Sequence, residues 1–144
     1  MSIKKAQEAV DAALLAVIRA LESTGYNDLE SLDCIFDEQD PNEIELRDEL
    51  ENYLESLKDA TDRLLYLRKP ITHEGAITQA ESGRLQVDGI ELTSGRRIEL
   101  LLYDFINERE EWILTRIEHN GNNYYFVNHK SLLLEDIRKA RLRD

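Results

Sequence analysis

The clearest hydrophobic pattern lies within residues 40–70, where apolar residues recur at alternating steps of four and three. These positions are Leu46, Leu50, Tyr53, Leu57, Ala60, Leu64 and Leu67. Such spacing is typical of one face of a long helix that packs against other helices. Asp40 and Glu43 have the spacing of a capping box, and Pro70 disfavours helical geometry at the residue before it. The pattern therefore predicts a long helix with Leu57 and Leu64 in a helical core.

Two further helices are predicted before the long one. Residues 3–21 show apolar positions at helical spacing, and Gly25 is placed to end this helix in a left-handed turn. Asn27 and Glu30 form an N-x-x-E capping box, which predicts a short helix of about two turns. Cys34 lies among the apolar residues that follow, so we expect it to be a small core residue rather than a nucleophile.

After Pro70 the apolar positions change to the alternating pattern of β-strands. Strands are predicted at residues 75–79, 84–88, 90–93, 98–103, 112–119, 123–127 and 137–143, with a helical turn at residues 131–134. Asn120-Gly121 predicts a two-residue hairpin that brings Ile117 opposite Tyr125.

Together these elements predict an α+β fold with two parts. Residues 1–69 form an acidic helical unit that contains a helix, a short helix and a long helix. Residues 70–144 form a small SH3-like β-barrel, because short strands joined by glycine turns, with a helical turn before the last strand, are typical of such barrels.

Charge is concentrated in the helical part of this chain of 144 residues. Residues 28–62 contain 14 acidic and two basic side chains, which equals the net charge of −12 of the whole chain. Such a surface repels nucleic acid and anionic membranes, and it favours a basic protein partner unless it is only a solvated helix face. The single cysteine excludes an internal disulfide, and no apolar run reaches the roughly 20 residues of a membrane span. We therefore predict a cytoplasmic protein without membrane contact.

The β part shares several sequence features with a known group of domains. They are Gly89-Ile-Glu-Leu-Thr-Ser-Gly95, Trp112, the stretch Thr-Arg-Ile-Glu-His at residues 115–119, Tyr-Tyr-Phe-Val at residues 124–127, and the basic residues 138–143. With these features the C-terminal half resembles a bacterial family of small SH3-like β domains of unknown function. The resemblance implies a compact barrel, and it implies no activity.

Catalytic chemistry finds little support in the sequence. There is no G-x-S-x-G elbow, no glycine loop for phosphate and no H-E-x-x-H pair. His119, His129 and the distant Cys34 are too few for a zinc site. No carboxylate stands out as an isolated acid inside an apolar strand, where raised pKa values arise. We therefore predict that the protein is not an enzyme and has no cofactor or metal.

One candidate binding surface lies in the β part. It consists of Trp112, Tyr125, Arg138, Lys139, Arg141 and Arg143. Alternation places Tyr124 and Phe126 on one face of their strand and Tyr125 on the other, so one of these faces points away from the core. Basic residues beside aromatic rings can bind single-stranded nucleic acid through stacking and phosphate contacts. Alternatively, the arginines pair with acidic residues of neighbouring strands or with the acidic helices, the strand candidates being Glu99, Glu108, Glu110 and Glu111.

The functional prediction is a non-enzymatic interaction protein. The helices would mediate assembly or partner binding, and the barrel would provide a second recognition surface. One alternative is a nucleic-acid-associated accessory factor that uses the basic last strand, and another is an acidic inhibitor that mimics nucleic acid. The apolar stripe of the long helix exceeds what the first helix can cover, so either the barrel or a second copy of the chain covers the remainder. Of these two alternatives we favour a homodimer formed through the helices.

Overall fold

A computed structural model describes all residues of the chain, 1–144, and divides them into two compact units. Residues Met1–Arg68 form the helical unit and residues Lys69–Asp144 form the β unit, so the boundary lies one residue before the predicted one. The predicted α+β class, with helices first and strands second, is confirmed. No helix combines the length and the apolar character that crossing a membrane requires.

The helical unit contains two long helices, which are connected by a single helical turn and the irregular segment 30–40. These elements are α1 (Ile3–Ser23), α2 (Tyr26–Leu29) and α3 (Pro41–Arg68). Gly25 adopts the predicted left-handed conformation with a φ of 71°, which ends α1 and begins α2 directly. Glu30 is also left-handed and ends α2 after one turn, so the two-turn helix capped by Asn27 was a wrong prediction. Cys34 is exposed and is not the core residue we expected.

A small apolar core holds the helical unit together. Leu21, Tyr26 and Leu54 are buried in one cluster, and Val17, Leu32 and Leu57 pack against it. An ion pair joins Asp11, near the middle of α1, to Arg68, the last residue of α3. The two long helices therefore run antiparallel.

Helix α3 is rotated relative to the prediction. Its buried residues are Leu54, Thr61 and Tyr66, whereas Leu57 and Leu64 are only half-buried. The predicted stripe therefore lies at the edge of the packed surface instead of its centre. Packing of Leu54 against Leu21 and Tyr26 explains the rotation, because the large Tyr26 side chain needs a pocket on that flank of α3.

The β unit contains eight strands in two antiparallel sheets. The strands are β1 (Ile71–Gly75), β2 (Ile77–Gln79), β3 (Leu85–Val87), β4 (Ile90–Glu91), β5 (Arg97–Asp104), β6 (Arg109–His119), β7 (Tyr124–Phe126) and β8 (Lys139–Arg143). Their order is β1-β8-β5-β6-β7 in one sheet and β2-β3-β4 in the other. The sheets are not closed, so the expected barrel is not confirmed.

The two sheets share one apolar core. Its buried residues are Leu85, Val87, Leu92, Ile98, Leu100, Ile117, Phe126, Ile137, Ala140 and Leu142. A short 3₁₀ helix, Leu134–Asp136, precedes β8 and lies later in the chain than the predicted helical turn. Ala140 and Leu142 face the core from β8, so the alternating residues of that strand face away from it.

The turn between β6 and β7 differs from the predicted hairpin. Its loop spans residues 120–123, and Ile117 lies opposite Phe126 instead of Tyr125. Only Gly121 of the loop has a positive φ, whereas a type I′ turn needs two such residues. The Asn120 side-chain oxygen instead accepts hydrogen bonds from the amides of Asn122 and Asn123. The longer loop shifts the register and places Phe126 in the core beside Ile117.

Candidate interaction surfaces

A buried carboxylate organises the face of the five-stranded sheet that lies opposite the core. Glu99 of β5 is only 2 % exposed and lies directly across from Arg141 of β8. Its Oε1 accepts a hydrogen bond of 2.8 Å from Arg141, and its Oε2 accepts one of 2.6 Å from Arg143. One carboxylate therefore pairs with two residues of the predicted binding surface and offsets one of their two positive charges.

Both arginines are also held by other groups. The Arg141 guanidinium lies over the Trp112 ring, with its central carbon 4.0 Å from the ring centroid. This stacking accompanies a buried Arg141 Nε without a hydrogen-bond partner. Arg143 donates a hydrogen bond of 2.8 Å to the Lys69 carbonyl oxygen. The cluster of Glu99, Arg141, Arg143 and Trp112 is called the Glu99 cluster below.

The remaining residues of the predicted surface are distributed along the sheet. Arg138 and Lys139 are exposed, and they lie 4.0 Å and 3.4 Å from carboxylate oxygens of Glu110 and Glu74. Tyr125 is half-buried and lies opposite Glu118, at the other end of β6 from Trp112. The structure thus brings Trp112 and the basic residues of β8 together and leaves Tyr125 apart.

The electrostatics of Glu99 follow from its two arginine partners. Burial alone would raise the pKa of Glu99, but hydrogen bonds from Arg141 and Arg143 outweigh burial and lower this pKa below its ordinary value. A carboxylate with a lowered pKa stabilises the fold above its unfolded-state pKa of about 4.3, and this contribution is lost as the pH falls through the lowered value. Half-buried Asp104 also has a lowered pKa, because the Asn107 side chain donates a hydrogen bond to it.

We therefore expect the β unit to lose stability as the pH falls below about 4.3. The variant Glu99→Gln should be less stable at neutral pH, and its unfolding free energy should change less between pH 5 and pH 3. Urea unfolding followed by the fluorescence of Trp112, the single tryptophan, measures both effects. Asp104→Asn is the control for a carboxylate outside the Glu99 cluster. An equal pH slope in wild type and Glu99→Gln would contradict the expectation.

The alternative that the arginines pair with Glu99 is confirmed for Arg141 and Arg143. The expectation that no acid stands out inside an apolar strand was wrong, because Glu99 is buried, and two signals for this exist. Glu99 stands among Ile98, Leu100 and further leucines of β5, which marks an acid in an apolar strand. Arg141 and Arg143 are two residues apart and so share one face of β8. The sequence does not indicate that β5 pairs with β8, and this pairing brings the arginine face of β8 next to Glu99.

The helical unit presents an exposed apolar surface of its own. Leu46, Leu50 and Tyr53 on α3 are 60 %, 44 % and 63 % exposed. Because Leu21, near the end of α1, packs against Leu54, the residues of α3 before Leu50 extend past the end of α1. We call Leu46, Leu50 and Tyr53 the α3 stripe.

An apolar groove lies at the opposite end of the same helix pair. It has a volume of about 340 Å³ and is lined by Ile3, Ala6, Gln7, Val10 and Asp11 of α1 and by Leu64, Leu67 and Arg68 of α3. Leu64 and Leu67 continue the heptad pattern to which the α3 stripe belongs. The α1/α3 groove and the α3 stripe therefore lie along one face of α3.

The β unit also has an open cleft of about 360 Å³ near the end of β7. Its lining includes Gln79, His119, Asn123, Tyr124 and Leu132, and the His119 ring packs edge-on against the Tyr124 ring at 4.6 Å. No group of three or more histidine, cysteine, aspartate or glutamate side chains is arranged to hold a metal ion.

Comparison with known proteins identifies only the β unit. Searches of the curated proteins and of the solved structures gave no match. The residues matched by a family model all lie within the β unit, and they include every member of the Glu99 cluster except Arg143. The C-terminal part of the chain, residues 75–142, thus matches a domain of unknown function, DUF5348.

Proposed function

We propose that this chain is a non-enzymatic interaction protein whose helical unit binds a protein partner through the α3 stripe. The observation that supports the proposal is the exposure of Leu46, Leu50 and Tyr53 at consecutive positions of one heptad seam. Scattered exposed apolar residues are common, but a contiguous apolar row flanked by charges marks an interaction site.

The energetics of α3 favour the same proposal. Burying a leucine side chain contributes roughly 1.5–3 kcal/mol, and long helices draw most of their stability from such packing. The core of the helical unit leaves the α3 stripe without this contribution. The dense acidic side chains around the stripe keep the free surface soluble, and they select a partner with a complementary charge.

The β unit serves in this proposal as a second recognition surface, built as an SH3-like domain of bacterial type. On one sheet face, Trp112 of the Glu99 cluster offers an aromatic ring and Lys139 offers a positive charge. Phosphate binding has less support, since Arg141 and Arg143 are largely buried and both donate hydrogen bonds to Glu99. The exposed free thiol of Cys34 supports a reducing, cytoplasmic setting.

Site-specific photo-crosslinking of the full chain in cells tests the α3 stripe. A photoreactive side chain at position 50 is expected to yield protein adducts, whereas the same group at position 52 is the matched control. Leu50 belongs to the stripe, and Asn52 is an exposed polar residue on another side of the same helix. Equal yields at the two positions, or no adduct at position 50, would contradict the proposal.

A further inference from the structure

Resting on the proposed function, we infer that the partner of the α3 stripe is a second copy of this chain. The two α3 helices run antiparallel, and the α3 stripe of each copy enters the α1/α3 groove of the other. The contact is isologous, since one two-fold axis relates both stripe-and-groove pairs.

The shapes of the two ends of the helical unit fit each other. Helices α1 and α3 are staggered, because Leu21 near the end of α1 packs against Leu54, so the first turns of α3 extend beyond α1. That overhang presents Leu46, and the exposed Leu50 follows directly after it, while the groove at the other end is a concave apolar surface. A two-fold axis near the middle of α3 brings each overhang into the groove of the other copy. The α1/α3 pair of one copy and the α1/α3 pair of the other then form a four-helix arrangement.

The charges that flank the seam specify the antiparallel direction. Glu49 and Arg63 flank the seam on the same side and lie at equal distances from Ser56. Neither takes part in the ion pairs of the helical unit, which join Arg47 to Asp48 and Glu51, Lys58 to Asp62, and Arg68 to Asp11. Antiparallel pairing centred near Ser56 places Glu49 of each copy beside Arg63 of the other.

The charges at the two ends of the helical unit are also complementary. The first turns of α3 carry Glu43, Glu45 and Asp48, all exposed. Lys4 and Lys5 lie in the first turn of α1, next to the groove, where the helix dipole disfavours positive charge. The acidic overhang of one copy meets this basic end of the other, which offsets both charge clusters.

Light scattering of the full chain tests the inference. We expect a mass near twice 16.8 kDa at micromolar concentration, and a monomer mass for Leu50→Glu. Asn52→Glu adds the same charge two residues away and is expected to remain dimeric. A monomer mass for wild type, or a dimer that Leu50→Glu leaves unchanged, would overturn the inference.

Charge reversal tests the antiparallel direction. Glu49→Arg alone and Arg63→Glu alone each place like charges together at two symmetric points, so each is expected to raise the dimer dissociation constant about tenfold. The double variant restores opposite charges and is expected to restore the wild-type constant. Additive weakening in the double variant would exclude this arrangement.

The mass of the crosslinked adducts at position 50 distinguishes a failure of the proposed function from a failure of the second copy as partner. An adduct with twice the mass of the chain supports the second copy as partner. Position-specific adducts of another mass would overturn the second copy and leave the proposed function standing. Absence of any position-specific adduct would overturn both.

Discussion

Replacing Glu99 by alanine is expected to destabilise the β unit by about 3–5 kcal/mol, the usual cost of removing one partner from a buried ion pair. Arg141 and Arg143 would both lose their carboxylate, and both side chains are largely buried. Arg141 has little freedom to reach water, because its guanidinium stacks on Trp112 and its Nε is already without a partner. The expected loss therefore exceeds that of an ordinary surface pair.

Urea unfolding at neutral pH, followed by the fluorescence of Trp112, measures this loss of stability in the β unit, to which both Glu99 and Trp112 belong. Glu74→Ala is the matched control, since Glu74 pairs with Lys139 on the same sheet while both side chains remain exposed. The control is expected to cost at most about 1 kcal/mol. A cost for Glu99→Ala as small as that of the control would show that the Glu99 cluster does not stabilise the fold.

A triple variant distinguishes the effect of losing the carboxylate from the effect of leaving two buried arginines unpaired. In Glu99→Leu combined with Arg141→Met and Arg143→Leu, no charge remains buried. Replacement of a buried ion-pair network by apolar residues of similar volume is often neutral or stabilising. We therefore expect this triple variant to recover most of the stability that Glu99→Ala loses. Failure to recover would mean that the stacking of Arg141 on Trp112 contributes more than the charges do.

The order and type of the major elements could be predicted from the sequence, because they depend on local periodicity. The apolar spacing of α1 and α3 and the alternation of β5 and β6 report directly how each segment divides between core and solvent. Proline and glycine marked the boundaries for steric reasons, as the left-handed Gly25 shows. These signals act within a few residues of one another.

The errors arose where the outcome depends on residues far apart in the chain. The rotation of α3 is set by Tyr26 and Leu21, which favour Leu54 over the predicted seam. The register of β6 and β7 follows from burial of Phe126 beside Ile117, and this burial outweighs the preference of Asn120-Gly121 for a two-residue turn. Local propensities carry no information about such tertiary choices.

The same distinction between local patterns and distant contacts applies to the candidate surfaces. The α3 stripe could be predicted as an apolar row, but whether it is buried or exposed could not, since that depends on the position of α1. The basic residues of β8 were visible in the sequence as a charged strand. Their pairing with Glu99 requires the β5–β8 contact between segments about 40 residues apart.

Replacing Leu54 by alanine is expected to destabilise the helical unit by about 2–5 kcal/mol, as for other buried leucines. Leu54 is buried between Leu21 and Tyr26, and these three residues make up the buried centre of a small cluster. With so few core residues, one cavity removes a large share of the packing that holds α1, α2 and α3 together.

Urea unfolding followed by the helical signal in far-ultraviolet circular dichroism measures this effect, at concentrations where light scattering gives the same mass for all variants. Leu15→Ala on α1 is the control, since Leu15 is more than half exposed and the same atoms are removed. Its cost is expected to stay within about 0.5 kcal/mol, the range of ordinary surface substitutions. If instead Leu57→Ala and Leu64→Ala each cost more than Leu54→Ala, the heptad seam would be the true core of the helical unit. The α3 stripe would then be buried, and the surface on which self-association depends would not exist.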